Sequence, residues 1–391
     1  MTDPVGRTLD RLREQLPGRV STPGDDGYAA ATAIWTKPVG RMPRVVVHCQ
    51  TAGDVRFAIR AARACGLPLS VRGGGHEWTG RALCDGVVID LGGMSSVTVA
   101  SNETAEVSGG ARFADILAAT DPLGLAPVTG TCSTVGVAGL TLGGGYGPLI
   151  GRFGLALDNL EAAEVVLADG RVVVADHENE EELFWALRGG GGNFGVVTAM
   201  RLKLRRLPSV RSGLLMYPFS EARAGFECCA DIANSAPDEL TVQVGVVRGP
   251  DGSPAVLVNP TWCGAPEEGE ARTAPFSKLG TPLMGAIETS SYWESLAVFD
   301  RLIVNGRRNF MDTCWIPELD SSSVDAFIAA TQSAVSWIVR MRPRRSDTGG
   351  GRGSRAIRSM RRLCPVDIRT FSSATTTRIG SQEATVATRS G

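Results

Sequence analysis

The chain has 391 residues, 43% of them apolar and 21% charged, with a formal net charge of −1. That length fits about two to three domains, each able to bury a core. The composition excludes a chain disordered throughout, and the charge does not mark a nucleic-acid binder. The first 20 residues carry charges throughout and lack the apolar stretch of a secretory leader. No run reaches the roughly 18 apolar residues of a membrane span, so a soluble, cytoplasmic protein with no membrane and no nucleic-acid partner is expected.

Leu9, Leu12 and Leu16 recur at spacings of three and four and predict a short amphipathic helix over 6–16. A valine run predicts a strand at 45–47. Val55, Ile59 and Ala62 share one face of a helix over 52–65, and Gly66 stands where its terminating glycine belongs. Strands follow at 67–72, 87–91 and 105–108, and a helix at 112–120. Asp169-Gly170 joins strands 164–168 and 172–175 as a hairpin. Asn179 with Glu182 predicts a capping box for a helix carrying Leu183, Phe184 and Leu187, and 196–204 reads as a strand.

Beyond Leu207-Pro208 glycine thins out, and longer strands and helices with aromatic residues run to about Val339. From Arg340 onward the chain has 12 arginines, no lysine and three acidic residues. Without periodicity, that tail reads as disordered. It is either an arm for an anionic partner or a segment with no selected structure, and the second reading is favoured.

Glycine is the outlier, 48 of 391 residues, with nine between Gly130 and Gly154. Clustered glycine marks main chain at positive φ or pressed closely against something. No P-loop string exists. Gly190-Gly191-Gly192-Asn193-Phe194-Gly195 satisfies G-x-G-x-x-G but follows a helix and leads into a strand, the reverse of the dinucleotide fingerprint. Arg72-Gly73-Gly74-Gly75-His76 offers consecutive amides beside a guanidinium, a nest suited to a pyrophosphate. A plain glycine turn between packed elements is the competing explanation. The nine cysteines are odd in number and contain no C-x-x-C pair, and His48, His76 and His177 are scattered, so no metal site is expected. Most of the cysteines read as buried reduced thiols.

The motifs taken together resemble a known family. Val71-Arg72-Gly73-Gly74-Gly75-His76 is followed by Gly86-Val87-Val88-Ile89-Asp90-Leu91. Next come Gly130-x-Cys132-x-Thr134-Val135-Gly136-Val137-x-Gly139 and Gly143-Gly144-Gly145. Phe153-Gly154-Leu155-x-x-Asp158-Asn159, Ala168-Asp169-Gly170 and the stretch from Leu183 to Val197 complete the set. In order and spacing, over about residues 41–207, this is similar to the FAD-binding domain of the p-cresol methylhydroxylase / vanillyl-alcohol oxidase flavoproteins. Within them it most resembles the berberine-bridge-enzyme-like oxidases.

The resemblance implies an α+β fold. A two-subdomain FAD-binding domain of the p-cresol methylhydroxylase type precedes an α+β substrate domain with an antiparallel sheet. The implied boundaries are a helical lead-in at 1–40, the FAD-binding domain at 41–207, a substrate domain at 208–339 that is incomplete beside the family, and the atypical tail at 340–391. In that family the histidine closing the first glycine loop is bonded to the flavin 8α carbon, and His76 matches it. The doubly attached branch adds a cysteine thioether at flavin C6, and Cys132 falls on that position. The implied cofactor is thus FAD, covalent through His76 and Cys132. Main chain of Arg72, Gly73, Gly74 and Gly75 is expected at the pyrophosphate. Gly136, Gly139, Gly143 and Gly144 are expected at the isoalloxazine and its linker, and Val197 and Gly195 at the adenine end. Asp158 and Asn159 are expected to order the neighbouring loop or to be plainly structural.

The implied activity is hydride transfer from a small alcohol, amine or sugar-like substrate to flavin, with O2 or another acceptor taking the electrons. No catalytic base is assigned, because Tyr28, Tyr146, Tyr217 and Tyr292 match no base motif and core packing is the expected role of Tyr146 and Tyr292. Family members continue into a last, asparagine-containing segment beside the cofactor, and no counterpart follows Val339. A flavin-binding remnant without turnover is therefore the second reading.

Overall fold

Valine runs closed by glycine turns set the first sheet of the chain, whose computed structural model describes residues 4–36, 40–249, 251–301, 306, 319–331 and 337–341. The tail beyond Met341, with Cys364, and Cys314 lie outside the described residues. Contacts divide the chain into two units. The first is Met1–Gly147, Leu155–Pro208 and Phe299–Arg308; the second is Pro148–Gly154, Ser209–Val298 and Asn309–Gly391.

The first unit opens with α1 (Pro4–Gln15), β1 (Val20–Ser21), α2 (Tyr28–Thr32), β2 (Val45–His48), α3 (Ala52–Ala64), β3 (Leu69–Arg72) and β4 (Val87–Asp90). The strands order as β1-β2-β4-β3, with β2, β4 and β3 parallel and β1 an antiparallel edge. Parallel strands need a covered face, which α1 and α3 supply: Leu12, Leu16, Val55, Ala58 and Ile59 are buried against Val45, Val47 and Ile89. The capping box of α3 is made by Thr51, whose Oγ1 accepts from Asp54 N while the Asp54 carboxylate accepts from Thr51 N. Gly66, at φ +61°, ends it as the sequence predicts.

The chain continues through β5 (Val97–Ala100), β6 (Thr104–Ser108), α4 (Phe113–Thr120), β7 (Leu125–Ala126), α5 (Val137–Leu142) and α6 (Ile150–Phe153), the last in the second unit. Then come β8 (Leu160–Val166), β9 (Val172–Ala175), α7 (Glu181–Gly190), β10 (Val196–Lys203) and β11 (Arg205–Arg206). An antiparallel sheet orders β5-β6-β10-β8-β9, and Gly170 turns the β8–β9 hairpin at φ +88°. One local expectation fails. The residue before α7 is Glu180, at φ +48°, with no side-chain cap. Asn179 is taken instead by Asp176, whose Oδ1 accepts from Asn179 N at 2.7 Å and from Asn179 Nδ2 at 3.0 Å. A nearer acceptor closed a turn and left the helix uncapped.

The second unit is an antiparallel sheet with helices on it: β12 (Val210–Ser212), β13 (Leu215–Pro218), α8 (Ala222–Ser235), β14 (Leu240–Arg248), β15 (Pro254–Trp262), α9 (Gly269–Thr273), β16 (Glu288–Ser290), α10 (Tyr292–Asp300, its last two residues counted with the first unit), α11 (Ser321–Thr331) and β17 (Trp337–Met341). Its order is β16-β12-β15-β14-β17, with β13 also on β15. Phe226 and Cys229 of α8 pack on Val242, Val244, Val256 and Val258. Both units combine helices with sheets, so the fold is α+β with a largely antiparallel second part, as the resemblance implies. Among the described residues no helix is long and apolar enough to cross a membrane, and no cluster of His, Cys, Asp or Glu is placed to hold a metal ion.

Candidate functional site

β3 delivers Arg72 to the rim of the first sheet, where the glycine loop begins. The guanidinium packs beneath the loop, within 3.2 Å of where a Cβ on Gly75 would sit: NH1 donates to Asp90 Oδ1 at 2.9 Å and NH2 to the Ala33 carbonyl at 3.3 Å. Arg72 therefore anchors the loop with its side chain and leaves its main chain outward. Among the described residues, the amides of Gly73, Gly74 and Gly75 donate to no main-chain carbonyl. Gly75 sits at φ +73°. Three uncommitted amides in a row make an anion-binding concavity.

Asp90 ties the loop to a second network that the sequence reading missed. Its Oδ2 meets His48 Nδ1 at 3.0 Å, and His48 Nε2 meets Ser21 Oγ at 2.9 Å. Burial raises the Asp90 carboxyl, but the His48 hydrogen bond and the Arg72 charge outweigh it and hold the group below its ordinary value. The order serine–histidine–aspartate matches a nucleophilic triad. Access does not: Ser21 is 6% exposed, and Gly27 lies over it so closely that a Cβ there would be 3.0 Å from Oγ. With no room for an acyl carbon, the network serves to fix β1, β2, β4 and the Arg72 anchor.

The second glycine segment crosses the first at a single point. A Cβ at Gly74 would lie 2.4 Å from Gly136 N, and one at Gly136 would lie 2.5 Å from Gly74 N. Here glycine is required because main chain meets main chain. The segment is pinned from its other side by α4: Phe113 N donates to Val135 O at 3.0 Å, Ala114 N to Ser133 O at 2.8 Å, and Val137 N to Ala111 O at 2.9 Å. Cys132 is buried here. Gly139 is exposed, with nothing near its Cβ position, and Gly143 also has room. Gly144 turns the chain at φ +114°. Val197 is buried on β10, and its carbonyl backs onto Gly109, which in turn faces Gly73. The structure thus brings Arg72–His76, residues 132–144 and Val197 into one region of the first unit. Asp158 and Asn159 order the next loop, Asp158 Oδ2 accepting from Leu155 N at 2.9 Å and Asn159 Nδ2 donating to Leu155 O at 2.8 Å. Tyr146 is exposed, not packed in the core as expected, and Tyr292 is buried in the second unit.

His76 is half-buried, and its ring stacks on Trp35 with centroids 5.1 Å apart and planes within 10°. Its Nε2 is buried and meets no hydrogen-bond partner, as do Trp35 Nε1, Arg72 Nε, Thr134 Oγ1 and Thr141 Oγ1. A buried polar atom left unpaired costs about 1–3 kcal/mol, so five of them along the two glycine segments and Trp35 mark a place built for a polar ligand. Burial pushes the His76 pKa down; a bond to its own main chain opposes this, Arg112 adds to it and Asp300 opposes it. The net effect favours the neutral ring, which keeps a lone pair on one nitrogen. Phosphate amides, a neutral imidazole and a thiol fit the parts of FAD that the sequence reading assigned to them.

Known proteins agree with that geometry. Residues 43–176 match a family described as an FAD binding domain. (R)-6-hydroxynicotine oxidase of Paenarthrobacter nicotinovorans is 34% identical over 306 residues, covering 77% of this chain and 66% of the relative. A Physcomitrella patens berberine-bridge-enzyme-like protein superposes with a TM-score of 0.76 at 23% identity, over 87% of this chain and 78% of that one. Glucooligosaccharide oxidase of Acremonium strictum, whose cofactor is a 6-S-cysteinyl, 8α-N1-histidyl FAD, gives a TM-score of 0.69 at 23% identity over 85% and 74%. The chain spans 65–66% of the length of the first curated relatives it matches. Residues 43–176 thus match an FAD binding domain, and the chain is similar to FAD-linked oxidoreductases and shares the fold of a berberine-bridge-enzyme-like protein.

Proposed function

We propose that this chain is an FAD-dependent oxidase that takes a hydride from a small alcohol, amine or sugar-like substrate, with the flavin held covalently by His76 and Cys132 and reoxidised by O2. The observation that carries the reading is the unpartnered, buried Nε2 of His76 beside the uncommitted amides of Gly73, Gly74 and Gly75. FAD bound there supplies the hydride acceptor that no natural side chain provides.

The chain's own residues divide the remaining work. Gly73, Gly74 and Gly75 would hold the pyrophosphate through main-chain N–H groups. Arg72, fixed on Asp90, keeps that loop from collapsing. Trp35 orients the His76 ring by stacking, and burial keeps it neutral, the state in which a ring nitrogen can form a bond to carbon. Gly139 and Gly143 leave space along the second segment for a flat ring. Val197 closes the far end. Substrate choice falls to residues outside this set.

Intact mass of the protein expressed with added riboflavin tests the reading. A chain heavier by one FAD, yellow after acid denaturation, is expected. His76→Ala should leave flavin bonded through Cys132 alone or lost, and Cys132→Ala should leave a singly attached flavin with an altered spectrum. Anaerobic bleaching by a candidate alcohol or sugar, reversed by air with release of hydrogen peroxide, completes the expected result. A colourless chain at its bare polypeptide mass overturns it.

A further inference from the structure

We infer that Asp300 is the positioning residue that presents Cys132 to the flavin ring, an inference that rests on the doubly attached reading above. Asp300 is the last residue of α10 and belongs with Phe299 to the first unit. It stands 167 residues along the chain from Ser133, yet both of its carboxylate oxygens close on that residue. Ser133 N donates to Oδ1 at 2.9 Å and Ser133 Oγ to Oδ2 at 2.5 Å.

The N–H in question belongs to the peptide plane that joins Cys132 to Ser133. Peptide planes are rigid, so fixing that N–H fixes the carbonyl side of the Cys132 α-carbon and narrows the directions open to its side chain. The carbonyl of Ser133 is held independently by Ala114 N at 2.8 Å. Ser133 is thereby clamped at both ends, once by Ala114 of α4 and once by Asp300. A negative charge does not favour a thiolate, so the contribution of Asp300 is geometric. Its charge also acts on His76, opposing that of Arg112.

The bond it would promote joins Cys132 Sγ to flavin C6. The thiol proton and the C6 proton leave, two electrons remain on the ring, and dioxygen takes up those electrons with two protons to give hydrogen peroxide. A near-attack placement of sulfur is what such a bond requires, and a Cys132–Ser133 peptide plane left free to tilt would forfeit it.

Peptide mapping by mass spectrometry of the full chain, expressed with riboflavin, reads this directly. The flavin-bridged species joining the His76 and Cys132 peptides is compared with flavin on the His76 peptide alone. Wild type should carry the bridge; flavin on neither residue, or on one alone, is a failure of the underlying reading and overturns the inference with it. Given a bridged wild type, Asp300→Ala should lower the bridged fraction at least fivefold while flavin on His76 stays at the wild-type level. Asp300→Asn, which can accept from Ser133 N and donate to Ser133 Oγ, should restore the bridge to within twofold. An unchanged bridge in Asp300→Ala overturns the inference. So does parallel loss of both attachments, which marks a general defect, or an Asp300→Asn variant no better than Asp300→Ala, which marks a role for charge.

Discussion

The two units differ in what surrounds the places that matter most to each. At the site of the first, main chain is pressed on main chain: a Cβ at Gly110 would meet Leu91 O, one at Gly109 would meet Val197 O, and one at Gly147 would meet Thr129 O, besides the crossing of Gly74 and Gly136. In the second, side chains fill the space between helix and sheet, with Tyr217, Phe226, Trp262 and Phe276 buried among valines of β14 and β15. The lesson is that the first unit gives up side-chain packing where a ligand needs amides and close main chain, and relies on buried ion pairs to hold the shape. The second keeps an ordinary apolar core.

The sharpest way to break that comparison is to open each interior in turn. Phe226→Ala should destabilise the second unit by about 3–5 kcal/mol, the usual cost of a large buried cavity, since Phe226 is 0% exposed. Hydrogen exchange of the β14 and β15 amides should accelerate accordingly. If those amides exchange as in wild type, the side-chain core does not carry this unit.

In the first unit the corresponding weak point is ionic. Asp90→Ala removes a buried carboxylate and leaves the half-buried Arg72 and His48 without their shared acceptor, at a cost of about 3 kcal/mol. The pH dependence has a definite sign. The Asp90 carboxyl is held below its ordinary value, so its contribution is present above the unfolded value of about 3.9 and lost as pH falls through the lowered folded value. Acid titration of stability in Asp90→Asn should show a flatter fall in that range than wild type. An identical acid profile would remove Asp90 from the account.

Gly136→Ala comes next, at about 1–3 kcal/mol for overpacking, because the added methyl meets Gly74 main chain, which cannot swing aside. Gly139→Ala, with nothing near its Cβ position inside α5, should raise stability of the flavin-free chain by about 0.5–1 kcal/mol. Thermal unfolding of the pair checks the distinction. Equal stability of the two would mean that the crossing tolerates a side chain.

What was legible in the sequence follows the range of each interaction. Gly66, the Asp169-Gly170 hairpin and the glycine loops depend on neighbouring residues, and their positions could be read directly. The capping box at Asn179 was misread because Asp176, three residues back, competes for the same side chain. The serine–histidine–aspartate network joins residues 21, 48 and 90. Nothing local distinguishes His48 from a surface histidine until three strands are aligned. Asp300 lay further out of reach: its partner is 167 residues away, and an aspartate at a helix end has no pattern of its own. Trp35 likewise gained meaning only when its ring was found on His76.

The smallest effect is expected at Trp185. It is 74% exposed on α7, one position after Phe184, which is buried. Successive helical residues are turned by about 100°, so Trp185 leaves the core face that Phe184 and Leu187 occupy. Trp185→Ala removes little buried area and gains helix propensity, since alanine exceeds tryptophan as a helix former. The two terms are of similar size and opposite sign, and stability should stay within about 0.5 kcal/mol of wild type. Flavin attachment should be unaltered. Trp35→Ala, by contrast, strips the stacking partner from His76 and should lower the fraction of chains carrying flavin on that residue. Peptide mapping of both variants separates an aromatic side chain that orients the site from one that merely covers a surface helix, and a loss of attachment in Trp185→Ala would show that α7, too, shapes the ligand region.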